Sequence, residues 1–217
     1  MVIAIDGPAG SGKSTVAKAV ASNLGFLYID TGAMYRALTL KALRQGLNLA
    51  DSEGILSMAK DTSLELKTSN SKICVFLDGE DVSSFIRTPE VTNNIFHIAD
   101  NPQVRKIMVS LQRRVAEKQN SVLEGRDITS VVFPDAEYKF YIDASFQERA
   151  RRRWLDFKNK GIDISLEQVE KDLKDRDYRD KTRPVGALKI VEDAVYIDTT
   201  NLAVEEVINR ILNIVKT

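Results

Sequence analysis

Residues 7–14 read Gly-Pro-Ala-Gly-Ser-Gly-Lys-Ser, the pattern G-x-x-x-x-G-K-[ST], and no other feature of the chain restricts its fold as much. Residues 2–5 ahead of it are a β-branched apolar run, suited to a central parallel strand buried on both faces. Residues 14–24 behind it place Val16, Ala17, Val20, Ala21 and Leu24 on one side of a helix. Strand, glycine-rich turn and helix in that order open an α/β domain. Glycines at 7, 10 and 12 let the backbone curl and aim its N–H groups inward at phosphate oxygens, and the helix dipole adds partial positive charge. In this pattern Lys13 reaches β- and γ-phosphates and the Ser14 hydroxyl ligates magnesium. Gly7, Pro8, Ala9, Gly10, Ser11, Gly12, Lys13, Ser14 and Thr15 are the candidate ATP-binding loop.

The strand–helix alternation continues. Residues 26–29 read as a second strand ending at Asp30, residues 32–45 as a helix closed by Gly46, and residues 52–61 as another helix. Residues 64–68 and 73–77 are β-rich and flank SNSK, a good hairpin turn, with 81–82 as a third edge, so an antiparallel meander is inserted here. A helix over 101–119, strands at 121–124 and 138–142, charged helices over 147–159 and 166–178, a strand at 194–197 and a helix over 203–215 complete the pattern.

Composition removes alternatives. Lysine plus arginine and aspartate plus glutamate each total 31, leaving no net charge to draw the chain to nucleic acid or a membrane. Cys74, the single cysteine, sits in ICVFL as a small apolar-flanked residue, and His97 as the single histidine excludes a Ser/His/Asp triad. No apolar stretch approaches the roughly 20 residues that span a bilayer. MVIAIDGPAG lacks the basic region and apolar run of a secretory signal, so a cytoplasmic chain is expected. The base-reading signature N-K-x-D of GTPases is absent and the chain is short for a motor or transporter ATPase, which favours a kinase of a small acceptor.

Candidates for the acceptor side cluster after the strands. Arg36, in DTGAMYR, either forks onto an acceptor phosphate or is a solvated helix arginine, and Tyr35 beside it can simply pack. Glu124 stands where a magnesium-organising acid stands in many phosphate-loop proteins, with structural hydrogen bonding as the equal alternative. Arg126 is a second candidate clamp. Asp127 can accept from the exocyclic amine of cytosine and would repel the carbonyl of uracil. An arginine such as Arg105 could serve cytosine's acceptor edge, but spacing alone does not bring it near Asp127, and on pattern alone a surface helix residue is the better reading of Arg105.

IDGPAGSGKST, DTGAMYR, LDGEDVSSFIRTPEV, LEGRDITSVVFPDA and DLKDRDYRDKTR, in this order and across essentially the full chain, resemble the bacterial cytidylate (CMP/dCMP) kinase family. The resemblance implies a three-layer α/β/α P-loop kinase core with a five-stranded parallel sheet. It also implies a monophosphate-binding insert over about 36–100 containing the small antiparallel sheet, and a helical lid over about 153–183. It makes Arg36, Arg126 and Arg183 phosphate-binding residues, Arg105 and Asp127 cytosine readers, and Asp180 a ribose contact. One position departs: where the family has a serine near the base, the ungapped match places Phe96, which cannot donate a hydroxyl hydrogen bond but can pack on a ring.

Arg149, Arg151, Arg152 and Arg153 form a basic cluster, and Arg176, Arg179 and Arg183 a second one interleaved with aspartates. By themselves these fit a solvated helical hairpin with ion pairs; a nucleic-acid surface fits less well, because acids interleave and no series of stacking aromatics accompanies them. Under the resemblance Arg152, Arg153, Arg176 and Arg179, at or in the lid over about 153–183, are candidates for closing on the phosphates, with Arg152 and Arg153 toward ATP and Lys13, Arg126, Arg176 and Arg183 in catalysis. The implied reaction is transfer of the γ-phosphoryl group of ATP, with Mg2+, to CMP or dCMP. The alternatives are a related P-loop kinase also taking UMP or AMP, and more remotely a nucleotide-dependent switch. The expected partners are small-molecule nucleotides, with no nucleic acid and no membrane, and the chain is expected to be a monomer.

Overall fold

The computed structural model describes residues 1–69 and 72–216. In chain order its elements are β1 (Val2–Asp6), α1 (Lys13–Leu24), β2 (Leu27–Asp30), α2 (Thr31–Arg44), α3 (Ser52–Lys60), β3 (Leu64–Ser69), β4 (Lys72–Leu77), β5 (Glu80–Asp81), α4 (Pro89–Ala99), α5 (Pro102–Ala116), β6 (Ser121–Gly125), a single π-turn (Ile128–Val132), β7 (Tyr138–Asp143), α6 (Phe146–Asn159), α7 (Leu166–Thr182), β8 (Val195–Asp198) and α8 (Val204–Val215). They form two compact units, Met1–Tyr28 with Gln119–Thr217, and Ile29–Lys118.

In the first unit, β1 needs apolar cover on both faces and has it. The five-stranded parallel sheet runs β2-β6-β1-β7-β8, with β1 in the middle. Ile3 and Ile5 point to one face, where they join Val16, Val20, Phe140, Ile142, Ile197, Val207 and Ile211, so α1 and α8 cover that side. Ala4, Leu123 and Tyr141 are buried on the other. Registers Ile5↔Glu124 and Asp6↔Gly125 on one flank and Asp6↔Tyr141 on the other bring the carboxyl ends of β1, β6 and β7 level. Parallel sheets bind ligands at that edge.

In the second unit, β3 and β4 pair antiparallel from Leu64↔Leu77 to Ser69↔Lys72, and β5 adds Phe76↔Asp81 and Leu77↔Glu80. Asn70 and Ser71 of the expected SNSK turn lie outside the described residues. α2 packs on α4 and β4, and α3 on α5.

Three elements differ from expectation. α4 was not foreseen, although Thr88 caps it by accepting from Val91 N and Pro89 occupies its first turn, a recognised start signal. α7 runs four residues beyond 178 and stops where Arg183, restricted by the following Pro184, takes an extended ψ of 144°. The π-turn after Asp127 has no period that a sequence pattern reveals.

Candidate active site

Residues 7–12 wrap tightly against their surroundings. A Cβ on Gly7 would lie 2.0 Å from the Ile142 carbonyl oxygen, and one on Gly10, whose φ is +80°, 2.8 Å from that of Arg149. Only glycine fits at these two points. Behind the loop, Lys13 Nζ donates to Pro8 O (3.1 Å), Arg149 Nη1 to Ala9 O (3.0 Å), and Arg152 Nη1 and Thr199 Oγ1 to Ser11 O (3.3 and 3.2 Å).

Lys13 is buried and lies 4.0 Å from Glu124 Oε2. Burial lowers its pKa to about 7, assisted by Arg126 and Arg176 and opposed by Glu124 and Asp180. A polyphosphate placed against it would raise that value again, because an adjacent anion favours the ammonium form. Ser14 Oγ donates to Glu124 Oε1 at 2.6 Å, and Tyr28 OH donates to the same oxygen at 3.3 Å. A hydroxyl and a carboxylate converging in this way are hard oxygen donors that suit Mg2+, which keeps several waters and takes its other ligands from substrate phosphates. Among the described residues no group of three or more His, Cys, Asp or Glu could hold a metal by itself.

Beside the loop, Arg126 Nε donates to Asp180 Oδ2 at 2.6 Å, and Arg183 Nη2 lies 3.9 Å from Asp180 Oδ1. Burial pushes the Asp180 carboxyl up, but Arg126, Arg176 and Arg183 outweigh it and hold it at about 2. Lys13, Arg126, Arg176 and Arg183 thus face Glu124 and Asp180 in one cluster with a cationic excess. Asp127 is buried at the head of the π-turn, its carbonyl accepting from Val131 N and Val132 N. That turn is held by Asp6, which accepts from Ile128 N (3.0 Å), Thr129 N (2.8 Å) and Thr129 Oγ1 (2.7 Å). Complete burial raises the Asp6 pKa to about 6 against those hydrogen bonds.

On α6 the four arginines separate. Arg149 is buried, Arg151 exposed, and Arg152 and Arg153 half-buried. Arg151 and Arg152 both bond Glu148, whose pKa those contacts lower to about 2, and Arg152 also reaches Thr199 O at 2.7 Å. Arg153 sits over the Phe157 ring. Arg179 is exposed on α7.

The second unit holds its own cationic group. Asp30 caps α2 by accepting from Ala33 N, takes Arg87 Nη2 at 2.7 Å and lies 3.8 Å from Arg36 Nη1. Burial raises the Asp30 carboxyl, but Arg36 and Arg87 bring it below its ordinary value. Arg105 is buried on α5, donates to Ala99 O at 2.8 Å and lies over the Tyr35 ring. Phe96, half-buried on α4, packs against His97 with ring centroids 4.0 Å apart. Arg105 and Asp127 belong to different units. For Asp6, Asp30 and Arg87 the sequence offers no signal of a role beyond their place inside motif segments.

A phosphate loop after the central strand of a five-stranded parallel sheet, with a buried lysine and converging arginines, defines an α/β P-loop kinase. The structure is similar to shikimate kinase from Bacteroides thetaiotaomicron at a TM-score of 0.50 and 11% identity, covering 100% of this chain and 99% of that one. The family model described as cytidylate kinase matches residues 3–217. Relatives named cytidylate kinase include that of Caldanaerobacter subterraneus subsp. tengcongensis (strain DSM 15242), 50% identical over 99% of this chain and 94% of the relative. That of Desulforamulus reducens is 51% identical over 97% and 94%. The chain belongs to the cytidylate kinase family. No helix is long and apolar enough to cross a membrane among the described residues.

Proposed function

We propose that the chain transfers the γ-phosphoryl group of ATP to CMP or dCMP, giving ADP and CDP or dCDP. Family membership makes it an enzyme, a nucleoside monophosphate kinase, and does not favour the broader-acceptor or switch readings. The observation that carries the chemistry is the cationic excess of Lys13, Arg126, Arg176 and Arg183 beside a glycine loop.

The nucleophile is a phosphate oxygen of the monophosphate, already anionic at neutral pH, so no general base is required. The work left for the protein is positioning and charge stabilisation. Residues 7–15 take the donor's phosphates through inward N–H groups, and Lys13 becomes fully charged against them. Arg126, Arg176 and Arg183 offset charge on the transferring group, and Asp180, held ionised, orients Arg126 and contacts ribose. Arg36 takes the acceptor phosphate, and Arg105 and Asp127 read cytosine; their burial supports a role that needs dry, directed hydrogen bonds. The insert over about 36–100 binds the monophosphate. The lid over about 153–183, with Arg152 and Arg153 toward ATP, excludes water that would otherwise accept the phosphoryl group. Ser14, with Glu124 through water, would hold Mg2+, which would supply neutralisation of the charge on the donor's phosphates. The enzyme acts as a cytoplasmic monomer on free nucleotides.

A coupled ADP-release assay over CMP, dCMP, UMP, AMP and GMP tests this. CMP and dCMP should be turned over far faster than the purines, and EDTA should abolish turnover. Equal rates across the panel would remove the base-reading assignment, and no turnover with any acceptor would remove the kinase reading.

A further inference from the structure

A loop that turns its N–H groups inward turns its carbonyls outward, and a buried carbonyl must find a donor. Each peptide is a rigid trans plane, so fixing one residue's C=O outward aims the next residue's N–H the opposite way. The donor to Ala9 O, and hence the group that orients the Ala9–Gly10 peptide, is Arg149. Arg149 is 7% exposed, and its guanidinium is committed in three directions: Nη1 to Ala9 O (3.0 Å), Nε to Ala144 O (3.1 Å), and Nη2 to Asp177 Oδ2 (2.7 Å). The backbone at Arg149 also presses on the loop, since its carbonyl oxygen closes the space that a Gly10 Cβ would need. Asp177, buried on α7, stands one turn before Asp180, which pairs with Arg126. The last turns of α7 are therefore linked to the phosphate loop through the Asp177–Arg149 pair and to the residue after β6 by Asp180.

We propose that Arg149 is a positioning residue for phosphoryl transfer: with Asp177 as counter-charge, it fixes the Ala9–Gly10 peptide of the phosphate loop. The same fork ties that loop to the α7 segment carrying Arg176, Asp180 and Arg183. Arg149 touches no substrate. It acts on the nucleotide through the loop, unlike the roles assigned to Arg152 and Arg153. A guanidinium is required because a lysine ammonium lacks the rigid planar fork that serves three partners at once. Asp177, at 2.7 Å, is the nearer of two carboxylates that offset the buried guanidinium, with Asp143 Oδ1 3.8 Å from Nε, so its loss weakens the fork without leaving the charge wholly uncompensated.

The kinetic readout rests on the kinase reading given above. Steady-state kinetics of Arg149→Met, Arg149→Lys, Asp177→Asn and the Arg149→Met/Asp177→Asn double variant, each well below its own Tm, test the proposal. Arg149→Met should raise KM for ATP and lower kcat, each by at least about tenfold, while KM for CMP, which feels the change only through the α7 segment, rises several-fold less than KM for ATP. Arg149→Lys should recover part of the loss, and Asp177→Asn should shift ATP KM in the same direction by less. The double variant should be no worse than Arg149→Met, because the two residues form one unit. An unchanged ATP KM and kcat in Arg149→Met, an equal rise in both substrates' KM, or additive losses in the double variant would overturn it. If Arg149→Met does not fold, Asp177→Asn decides: an unchanged ATP KM there overturns the proposal and a clear rise sustains it. Calorimetric titration of each variant with MgATP alone keeps this test separate, since it reads the loop even if CMP proves not to be the acceptor.

Discussion

Asp6 makes a direct claim on stability. It is fully buried, its pKa is raised to about 6 from 3.8, and its carboxylate holds the turn that follows Arg126 and Asp127. A group raised in the folded state binds more protons there than in the unfolded chain. Its stabilising contribution is therefore present below 3.8 and lost as pH rises through about 6. The full excursion is worth about 3 kcal/mol at 1.36 kcal/mol per pKa unit. Between pH 7.5 and pH 5 the portion regained is about 1.4 kcal/mol. Asp180 and Glu148 are held near 2 and barely titrate in that window. Asp6→Asn removes the titration, so the comparison isolates it. Urea unfolding of both proteins at the two pH values should show the wild type gaining on the variant by that amount. At an m-value of about 2 kcal/mol/M this is a differential midpoint shift of about 0.7 M. A constant gap between wild type and variant would mean that Asp6 titrates as an ordinary carboxylate and that its burial costs nothing at neutral pH.

Lys13→Ala should lower kcat by about 10²–10³ with CMP and dCMP alike, by analogy with removal of one preorganised donor; a fully active variant would contradict the phosphate-loop chemistry. Asp127→Ala should cut kcat/KM for CMP by about 10–100-fold, the worth of a good base-reading pair, with ATP KM unchanged. Asp180→Asn leaves the half-buried Arg126 without its ion-pair partner, and should cost about 3 kcal/mol in urea unfolding at pH 7. The wild-type pair, by contrast, should hold its contribution above pH 3.8 and lose it as pH falls through about 2. Phe96→Ser, assayed on CMP and UMP, should change the ratio of the two rates while leaving ATP KM as it was; an unaltered ratio would make the phenylalanine a packing residue only.

What could be read without coordinates is local. The phosphate loop, the five sheet strands and most helices are written in runs of a few residues whose period or glycine spacing carries the meaning, and their bounds lie within a few residues of expectation. Thr88 and Pro89 also mark the start of α4 locally. The motif segments likewise marked Arg36, Arg126, Asp127 and Asp180 as candidates, though not what each would touch.

What the tertiary structure alone decided is partnership across the chain. Asp6 meets Thr129 over 123 positions and Arg149 meets Ala9 over 140, separations at which no pattern in a single sequence survives. The four clustered arginines of α6 look alike in the sequence, yet Arg149 is consumed inside the fold, Arg151 faces solvent and Arg152 braces Ser11 and Thr199. Charge and helical period place such residues on a face. Whether a guanidinium there meets water, a carbonyl or a carboxylate depends on which distant strand ends the sheet brings level, and that is a property of packing.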